Sequence, residues 1–337
     1  MSFEPQRDYD AIWAFAISKK QVDYATVLAD TDLTKSVPVR VANTAQLTQT
    51  KLTDEDWFGK GHADPTFQRT SAQDVALSVD LPLSTEMLGW ALSYVMGKVT
   101  TDAGPPIVHT FDYADPAVSK QMPVATVYEE VSEGIKRRLH SLACQQLAIS
   151  FENLQFVGMQ AQFIGSGQVT DGASAQAITQ QSQNLMVGGE VDVQIGPIGT
   201  PLTVAERVRR GSITITPNLA VNWGRNPGSG LFHSKMWFTR HRVTLSLDVA
   251  VKDDDDLQAL YLGDTPREIQ IIGTIDANND ATFLFPQARF TNLGIVSEDN
   301  FKVYRIEANM HFRGTAAASP DVPFQALVKN TIAGYLT

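Results

Sequence analysis

Two short segments of this chain have nearly the same alternating sequence. Val75–Asp80 reads Val-Ala-Leu-Ser-Val-Asp, and Val243–Asp248 reads Val-Thr-Leu-Ser-Leu-Asp. Apolar and polar side chains that alternate with a period of two predict a half-buried β-strand, because successive side chains point to opposite faces of a sheet. The repeated segment therefore predicts a β-rich fold that contains two related parts.

A short helix is predicted after each of these strands. In the first half, apolar residues at helical spacing lie between Ser84 or Thr85, which are placed to cap a helix, and Gly97, which is placed to end it. In the second half, the acidic run Asp253–Asp256 precedes a short apolar helix that Gly263 closes. Acidic residues at a helix start are favoured by the unpaired N–H groups there.

The order of segments suggests an internal duplication. Besides the two strands, Gly97 matches Gly263, and two later short matches keep the same order: Asn153–Leu154 with Asn292–Leu293, and Phe163–Gly165 with Phe312–Gly314. The first half carries an additional segment, 100–128, whose Pro, Asp and Gly content predicts a long loop or an extended hairpin. Segment 165–201 is poor in charge and rich in Gly, Ser, Gln, Ala and Thr, which predicts a linker.

These features predict five regions along the chain. They are an N-terminal arm (1–50), a first unit (51–165), a linker (166–200), a second unit (201–320) and a C-terminal extension (321–337).

Composition narrows the class of protein. The chain has 337 residues, a net charge of −10 and 43% hydrophobic residues, which is typical of a folded globular protein. The acidic balance argues against a protein that grips nucleic acid through its phosphates. The single cysteine, Cys144, excludes an intrachain disulfide and a four-cysteine zinc site. Met87–Gly97, the longest strongly apolar stretch, is too short to span a bilayer, and the charged N-terminus is unlike a signal peptide.

No motif in the sequence predicts catalysis or metal binding. Asp276–Asp280 has the opening spacing of a calcium loop, but Ala281 and Gln287 stand where the glycine and the bidentate glutamate are needed, so a tight hairpin turn is predicted instead. Cys144 lacks a specific base and is interpreted as a small buried side chain. The histidines are scattered: His62, His109, His140, His233, His241 and His311. We therefore expect no enzyme activity, no cofactor and no metal.

Three segments and the C-terminal run each resemble part of one known protein family. The first, Gly59-Lys-Gly-His-Ala-Asp-Pro65, is similar to a Gly-x-Gly-x-Ala-x-Pro loop of that family. Helix residues Leu88–Leu92 followed by Gly97-Lys-Val-Thr-Thr101 resemble its short helix and Gly-x-Val-Thr-Thr motif, and His109-Thr-Phe111 resembles its hairpin. The run from His241 to Phe312 is similar to its strand, acidic helix start and closing strands. The family that these segments resemble is that of the tail tube proteins (major tail proteins) of long-tailed, siphovirus-type bacteriophages.

The resemblance implies a mainly β (α+β) fold: two similar β-sandwich units, each with a short flanking helix, whose strands join between subunits into a β-barrel. It implies a structural virion protein whose rings stack into the tail tube, a conduit for DNA. An alternative is a capsid decoration protein or a tail-tip interaction protein.

The partners implied by the resemblance are other copies of the chain, tail terminator and tail-tip proteins, a tape measure protein in the lumen and DNA in transient, non-specific passage. The protein would be made in the host cytoplasm, would not insert into a membrane and would reside in the virion tail. If each half of the chain is one tube unit, a barrel of six units needs three chains, which gives true threefold and approximate sixfold symmetry. The alternative is a ring of six chains in which one half of each chain decorates the outside. We favour three chains, because the two strand motifs are nearly identical.

Two groups of residues are candidates for assembly contacts. A polar loop that carries aromatic side chains would suit contact between rings: Trp57, Phe58, Gly59, Gly61, Pro65 and Phe67. The apolar positions of the repeated strand motif are candidates for the barrel strands: Val75, Leu77, Val79, Val243, Leu245 and Leu247.

Overall fold

The protein is mainly β. The computed structural model describes residues 14–21, 24, 28, 35–36, 45–53, 67–113, 121–132, 135–171, 179–180, 183–200, 203–204, 208–223, 232, 235–250, 257–298, 301–310 and 323–335. The elements of the first half are β1 (Ala14–Lys20), β2 (Lys35–Ser36), β3 (Gln46–Thr53), β4 (Gln68–Pro82), α1 (Thr85–Met96), β5 (Gly97–Asp102), β6 (Ile107–Tyr113), β7 (Ala125–Ser132), β8 (Ile135–Glu152), β9 (Gly158–Gly165), β10 (Val169–Asp171) and β11 (Thr179–Gln180). After a 3₁₀ turn (Gly188–Glu190) come β12 (Val191–Gly196), β13 (Thr203–Val204), β14 (Val208–Thr216), β15 (Leu219–Asn222), β16 (Lys235–Phe238), β17 (Arg242–Ala250), α2 (Leu257–Leu262), β18 (Arg267–Asp276), β19 (Asn279–Glu298), β20 (Phe301–Met310) and β21 (Gln325–Asn330).

Eight strands from both halves form one antiparallel sheet. Its order is β3-β4-β9-β8-β14-β17-β20-β19. The first four strands, which we call the first block, come from the N-terminal half of the chain, and the last four, the second block, come from the C-terminal half. The two blocks have the same strand order, so β3 corresponds to β14, β4 to β17, β9 to β20 and β8 to β19.

The irregularities of the two blocks also correspond. Between β8 and β9 the register shifts at Gln145, and between β19 and β20 it shifts at Thr291. A β-bulge leaves one residue on one strand unpaired, so an equivalent bulge at the same place in both blocks is strong support for a shared architecture. This result confirms the internal repetition that the strand motifs predict.

The outer strands repeat the same plan. In the first half β2, β1, β7, β8 and β10 lie side by side, and in the second half β13, β12, β18, β19 and β21 do so in the same order. The long strands β8 and β19 each belong to two sheets. The hairpin β5–β6, which falls largely within the additional segment of the first half, extends the outer sheet of the second half by pairing with β21.

Two of the four sequence matches between the halves are wrong in register. Leu77 on β4 and Leu245 on β17 occupy equivalent places, and their partners are Phe163 and Ala308. Phe163 therefore does not correspond to Phe312. By the same reasoning, Asn292 corresponds to Gln146 and not to Asn153. Strand sequences with a period of two can be aligned in several registers, and only the pairing partners distinguish among them.

The segments predicted as linker and C-terminal extension contain paired strands. β12 lies within 166–200 and pairs with β18, and β21 lies within 321–337 and pairs with β19. Tyr335 then packs over α1, where its hydroxyl donates to the Glu86 carbonyl at 2.9 Å. The described parts of both segments are thus built into the fold, and the division of the chain into five regions stays a prediction.

Helix α1 lies inside the protein. Ser84 caps it by accepting a hydrogen bond from the Met87 backbone N–H at 3.2 Å, and Gly97 ends it with a left-handed backbone at φ 84°. All twelve residues of the helix are buried, because it packs against strands of both halves, including β8 and β21. The predicted caps are confirmed.

Candidate assembly interface

In the part of the chain that the structure describes, the eight-stranded sheet has a free edge at each end. Among the described residues, β3 pairs only with β4, and the part of β19 from Asn292 to Glu298 pairs only with β20. An edge strand presents unpaired N–H and C=O groups, which can pair with a strand of another chain. These two edges are the candidate assembly interface.

The junction between the two blocks shows what such an interface looks like when it is closed. There β8 pairs with β14 over six residue pairs, from Glu152 opposite Arg210 to Leu147 opposite Ile215. The side chains on the core side of this junction are completely or almost completely buried. Phe151 lies over Gly211, where an added Cβ would be 2.4 Å from the Phe151 ring, so the ring occupies the space of the missing side chain.

The corresponding side chains at the free edges are exposed. Leu47 on β3 is 48% exposed, whereas its counterpart Ile215 on β14 is 0% exposed. Ile295 on β19 is 60% exposed, whereas its counterpart Ile149 on β8 is 2% exposed. At both outer edges, large apolar side chains are therefore exposed to solvent, whereas their counterparts at the internal junction are buried.

The opposite face of the eight-stranded sheet is polar. Residues that alternate with the core positions are mostly Ser, Thr and Gln. The described part of this face carries both carboxylates and guanidinium groups: Asp74, Asp80, Glu152, Asp248, Glu307, Arg69, Arg210, Arg242, Arg289 and Arg305.

Asp248 pairs with two of these arginines. Its side chain is almost buried and accepts hydrogen bonds from Arg210 and from Arg305, the latter at 3.1 and 3.2 Å. Burial alone would raise the pKa of Asp248, but the hydrogen bonds and charges of Arg305 and Arg210 outweigh burial and lower it below 3.8. An open cavity of about 340 Å³ adjoins this cluster at the junction of the two blocks.

Most of the predicted inter-ring loop lies outside the described residues: Trp57, Phe58, Gly59, Gly61 and Pro65. Phe67 is described, directly precedes β4 and is 45% exposed. The loop connects β3 and β4, and β3 is exposed along nearly its whole length. In the second half the corresponding connection, between β14 and β17, contains the hairpin β15–β16, whose Met236 and Phe238 are buried.

The six predicted barrel positions all point into the core. Val75, Leu77 and Val79 lie on β4, and Val243, Leu245 and Leu247 lie on β17; each is at most 3% exposed. The two strands are the second strands of their blocks, so the structure places them equivalently and does not bring them into contact. Their role in a barrel stays a prediction.

The structure shows the surroundings of the titratable groups that the sequence analysis singled out. Burial raises the pKa of the Cys144 thiol to about 12, so this thiol is not activated as a nucleophile. Burial lowers the pKa values of His140 and His241 to about 4. Asp276 accepts from the Asn278 backbone and the Asn279 side chain, which confirms the predicted hairpin turn. Within the described residues, no three His, Cys, Asp or Glu side chains come together as a metal site requires.

Sequence reasoning missed the two free edges. The only sequence signal for these edges was a weak alternation of apolar and polar residues. It consists of Leu47 within Gln46–Thr53, and of Leu293 and Ile295 within a strand that is only half apolar. The pairing of Arg210 with Asp248 was also missed, because the two residues become neighbours only through the register of β14 and β17.

Comparison with known proteins assigns the family. No helix in the described residues combines the length and the apolar character needed to cross a bilayer. A comparison with curated proteins found no significant match. The family model described as "Phage tail tube protein" matches residues 16–326, which is nearly the whole chain and includes both blocks of the eight-stranded sheet. The chain therefore belongs to the phage tail tube protein family.

Proposed function

We propose that this protein forms rings that stack into a phage tail tube and that the tube conducts DNA to the host. The observation that carries the proposal is the eight-stranded sheet, which consists of two equivalent blocks and, as far as the described strands go, ends in two free edges. Sheets with free edges are prone to pair with other chains, and a closed ring removes the edges altogether. Membership of the tail tube family supports this role.

Each ring would contain three chains. One chain supplies two equivalent four-stranded blocks, so three chains supply six blocks with true threefold and approximate sixfold symmetry. The alternative, six chains with one half of each on the outside, would require the two halves to be placed differently. Within this chain, β8 and β14 join the two blocks into one continuous sheet, which favours the three-chain ring.

The polar face of the eight-stranded sheet would line the lumen. Its described carboxylates and arginines balance one another, and Asp248 neutralises part of the charge of Arg210 and Arg305. Lysines and arginines that contact phosphates hold DNA strongly, whereas a neutral or acidic wall lets it slide. This face therefore suits transient, non-specific passage of DNA.

The connection between β3 and β4 would contact the next ring. β3 is exposed along nearly its whole length, and the aromatic-bearing segment connects it to β4 in the sequence. An exposed hairpin with aromatic side chains gains buried surface when it meets a neighbour. The hairpin β15–β16, at the corresponding place in the second block, packs onto its own chain instead.

The remaining assignments follow from this role. The protein would act as a structural component without enzyme activity, would be made in the host cytoplasm and would contact terminator, tail-tip and tape measure proteins. A capsid decoration or tail-tip protein is the alternative function, since such a protein would also be a non-enzymatic virion component.

Electron microscopy of the purified protein, with reconstruction of rings without imposed symmetry, tests the proposal. We expect stacked rings or tubes with three chains per ring. Compact monomers that never assemble would contradict the tube function, and six chains per ring would contradict the three-chain arrangement.

A further inference from the structure

We propose a specific register for the contact between copies: β19 pairs antiparallel with β3 of the neighbouring copy, so that Leu293 lies opposite its Leu47 and Gly294 opposite its Gln46. This inference rests on the proposed ring. It names the two edges that join and the residues that face each other.

The register follows from the internal junction. The shared bulges make Leu293 on β19 the equivalent of Leu147 on β8. Leu47 faces Val75 on β4 just as Ile215 faces Val243 on β17, which makes Leu47 the equivalent of Ile215.

Leu147 and Ile215 face each other at the internal junction, and Ala148 faces Thr214 beside them. Transferring these pairs to the equivalent positions places Leu293 opposite Leu47, and Gly294 opposite Gln46. Both transferred pairs have the antiparallel direction that the remainder of the sheet requires.

The exposed apolar side chains fit this register. Leu147 and Ile215 are both 0% exposed, whereas Leu47 is half exposed and Leu293 is partly buried. Pairing the two edges would place these leucines side by side on the core side of the sheet. It would also bring Ile295 toward the chain segment at the start of β3. In the internal junction, β14 covers the equivalent residue, Ile149, in the same way.

A second copy of this chain is the occupant that the two edges fit. They are the equivalents of two strands that already pair within the chain, so each edge is the natural complement of the other. A different protein, such as a terminator, would use one edge and leave the other without its equivalent partner.

Engineered cysteines test the register. In a Cys144→Ser background, the pair Gln46→Cys and Gly294→Cys would lie directly opposite between copies, within the ~4.4–6.8 Å Cα separation that a disulfide spans. An added Cβ at Gly294 meets nothing within 4 Å, so the substitution fits. The matched control is Thr48→Cys with Gly294→Cys, which moves one cysteine by two residues on the same face to a diagonal about 7–8 Å away.

Tubes of each variant would be oxidised and separated on a denaturing gel. We expect the test pair to form covalent dimers and trimers, with no larger species, and the control to stay mostly monomeric. Cross-linking in the control instead of the test pair, or in neither when tubes are visible by microscopy, would overturn the register. A series reaching six chains would uphold the register and overturn the three-chain ring. Failure of the unmodified protein to form rings would overturn the proposed function, and this inference with it.

Discussion

Replacing Asp248 with Asn should destabilise the folded chain at neutral pH. The carboxylate is almost buried and accepts three hydrogen bonds from Arg210 and Arg305. Asparagine has nearly the same shape, so packing is kept, but the negative charge is lost and two guanidinium groups are left side by side.

The size of the effect can be worked out from the exposures. A hydrogen bond to a charged group contributes about 1.5–3 kcal/mol when it is buried. The side chains of Arg210 and Arg305 are 36% and 40% exposed, so water screens both ion pairs and replaces part of what is lost. We therefore expect the free energy of unfolding to fall by about 2 kcal/mol, well below the sum for three fully buried bonds.

Urea unfolding of unassembled protein, followed by tryptophan fluorescence from pH 7 to pH 2.5, measures this difference. The pKa of Asp248 is lower in the folded state than its ordinary 3.8. Its stabilisation is therefore complete above about pH 5 and is lost as the pH falls through the folded-state pKa. The gap between the original protein and the variant should shrink at low pH.

The chain offers a matched control in Asp80→Asn. Asp80 occupies the equivalent position on β4, but its cross-strand neighbour on β9 is Gln160 rather than an arginine. This variant should change the free energy of unfolding by less than about 0.5 kcal/mol. Equal losses in both variants, or a loss at Asp248 that does not depend on pH, would refute the reasoning.

Three further predictions concern other parts of the chain. Deleting Trp57–Phe67 should leave a folded protein that does not stack, as judged by circular dichroism and electron microscopy; tubes of normal length would contradict this. Folded protein should not react with iodoacetamide at pH 8, because burial raises the pKa of Cys144 to about 12, whereas protein unfolded in urea should react fully; rapid labelling of the folded state would contradict the burial. Burial lowers the pKa of His241 to about 4, so the unfolded state binds a proton first as the pH falls, and stability should drop between about pH 6.5 and pH 4. His241→Gln should flatten that part of the pH profile of unfolding, and an unchanged slope would count against the prediction.

Local patterns predicted the repeating element well. The strand that contains Val75, its counterpart that contains Val243 and the two helices after them depend on side-chain alternation and on capping residues within a few positions. Such signals are present in the sequence because neighbours along the chain determine them.

Long-range pairing could not be predicted in the same way. β12 lies in a segment whose Gly, Ser and Thr content resembles a linker, and it becomes a strand because β18 offers it a partner. β21 is a short segment that two distant strands, β19 and β6, hold on either side. The exposed edges were missed for the same reason, since an edge is defined by the partner that a strand lacks.

The contact of Phe151 with Gly211 at the internal junction has an evolutionary consequence. In a ring of identical single-unit subunits, every substitution at a joint would appear at all joints at once. In a duplicated chain the internal joint can change independently. On the described strand β19, the position equivalent to Phe151 holds Ser297, so the free edge of the second block lacks this aromatic side chain. The Phe151 side chain packed on the Gly211 backbone is therefore a feature of the junction within the chain, which holds two blocks that are covalently linked.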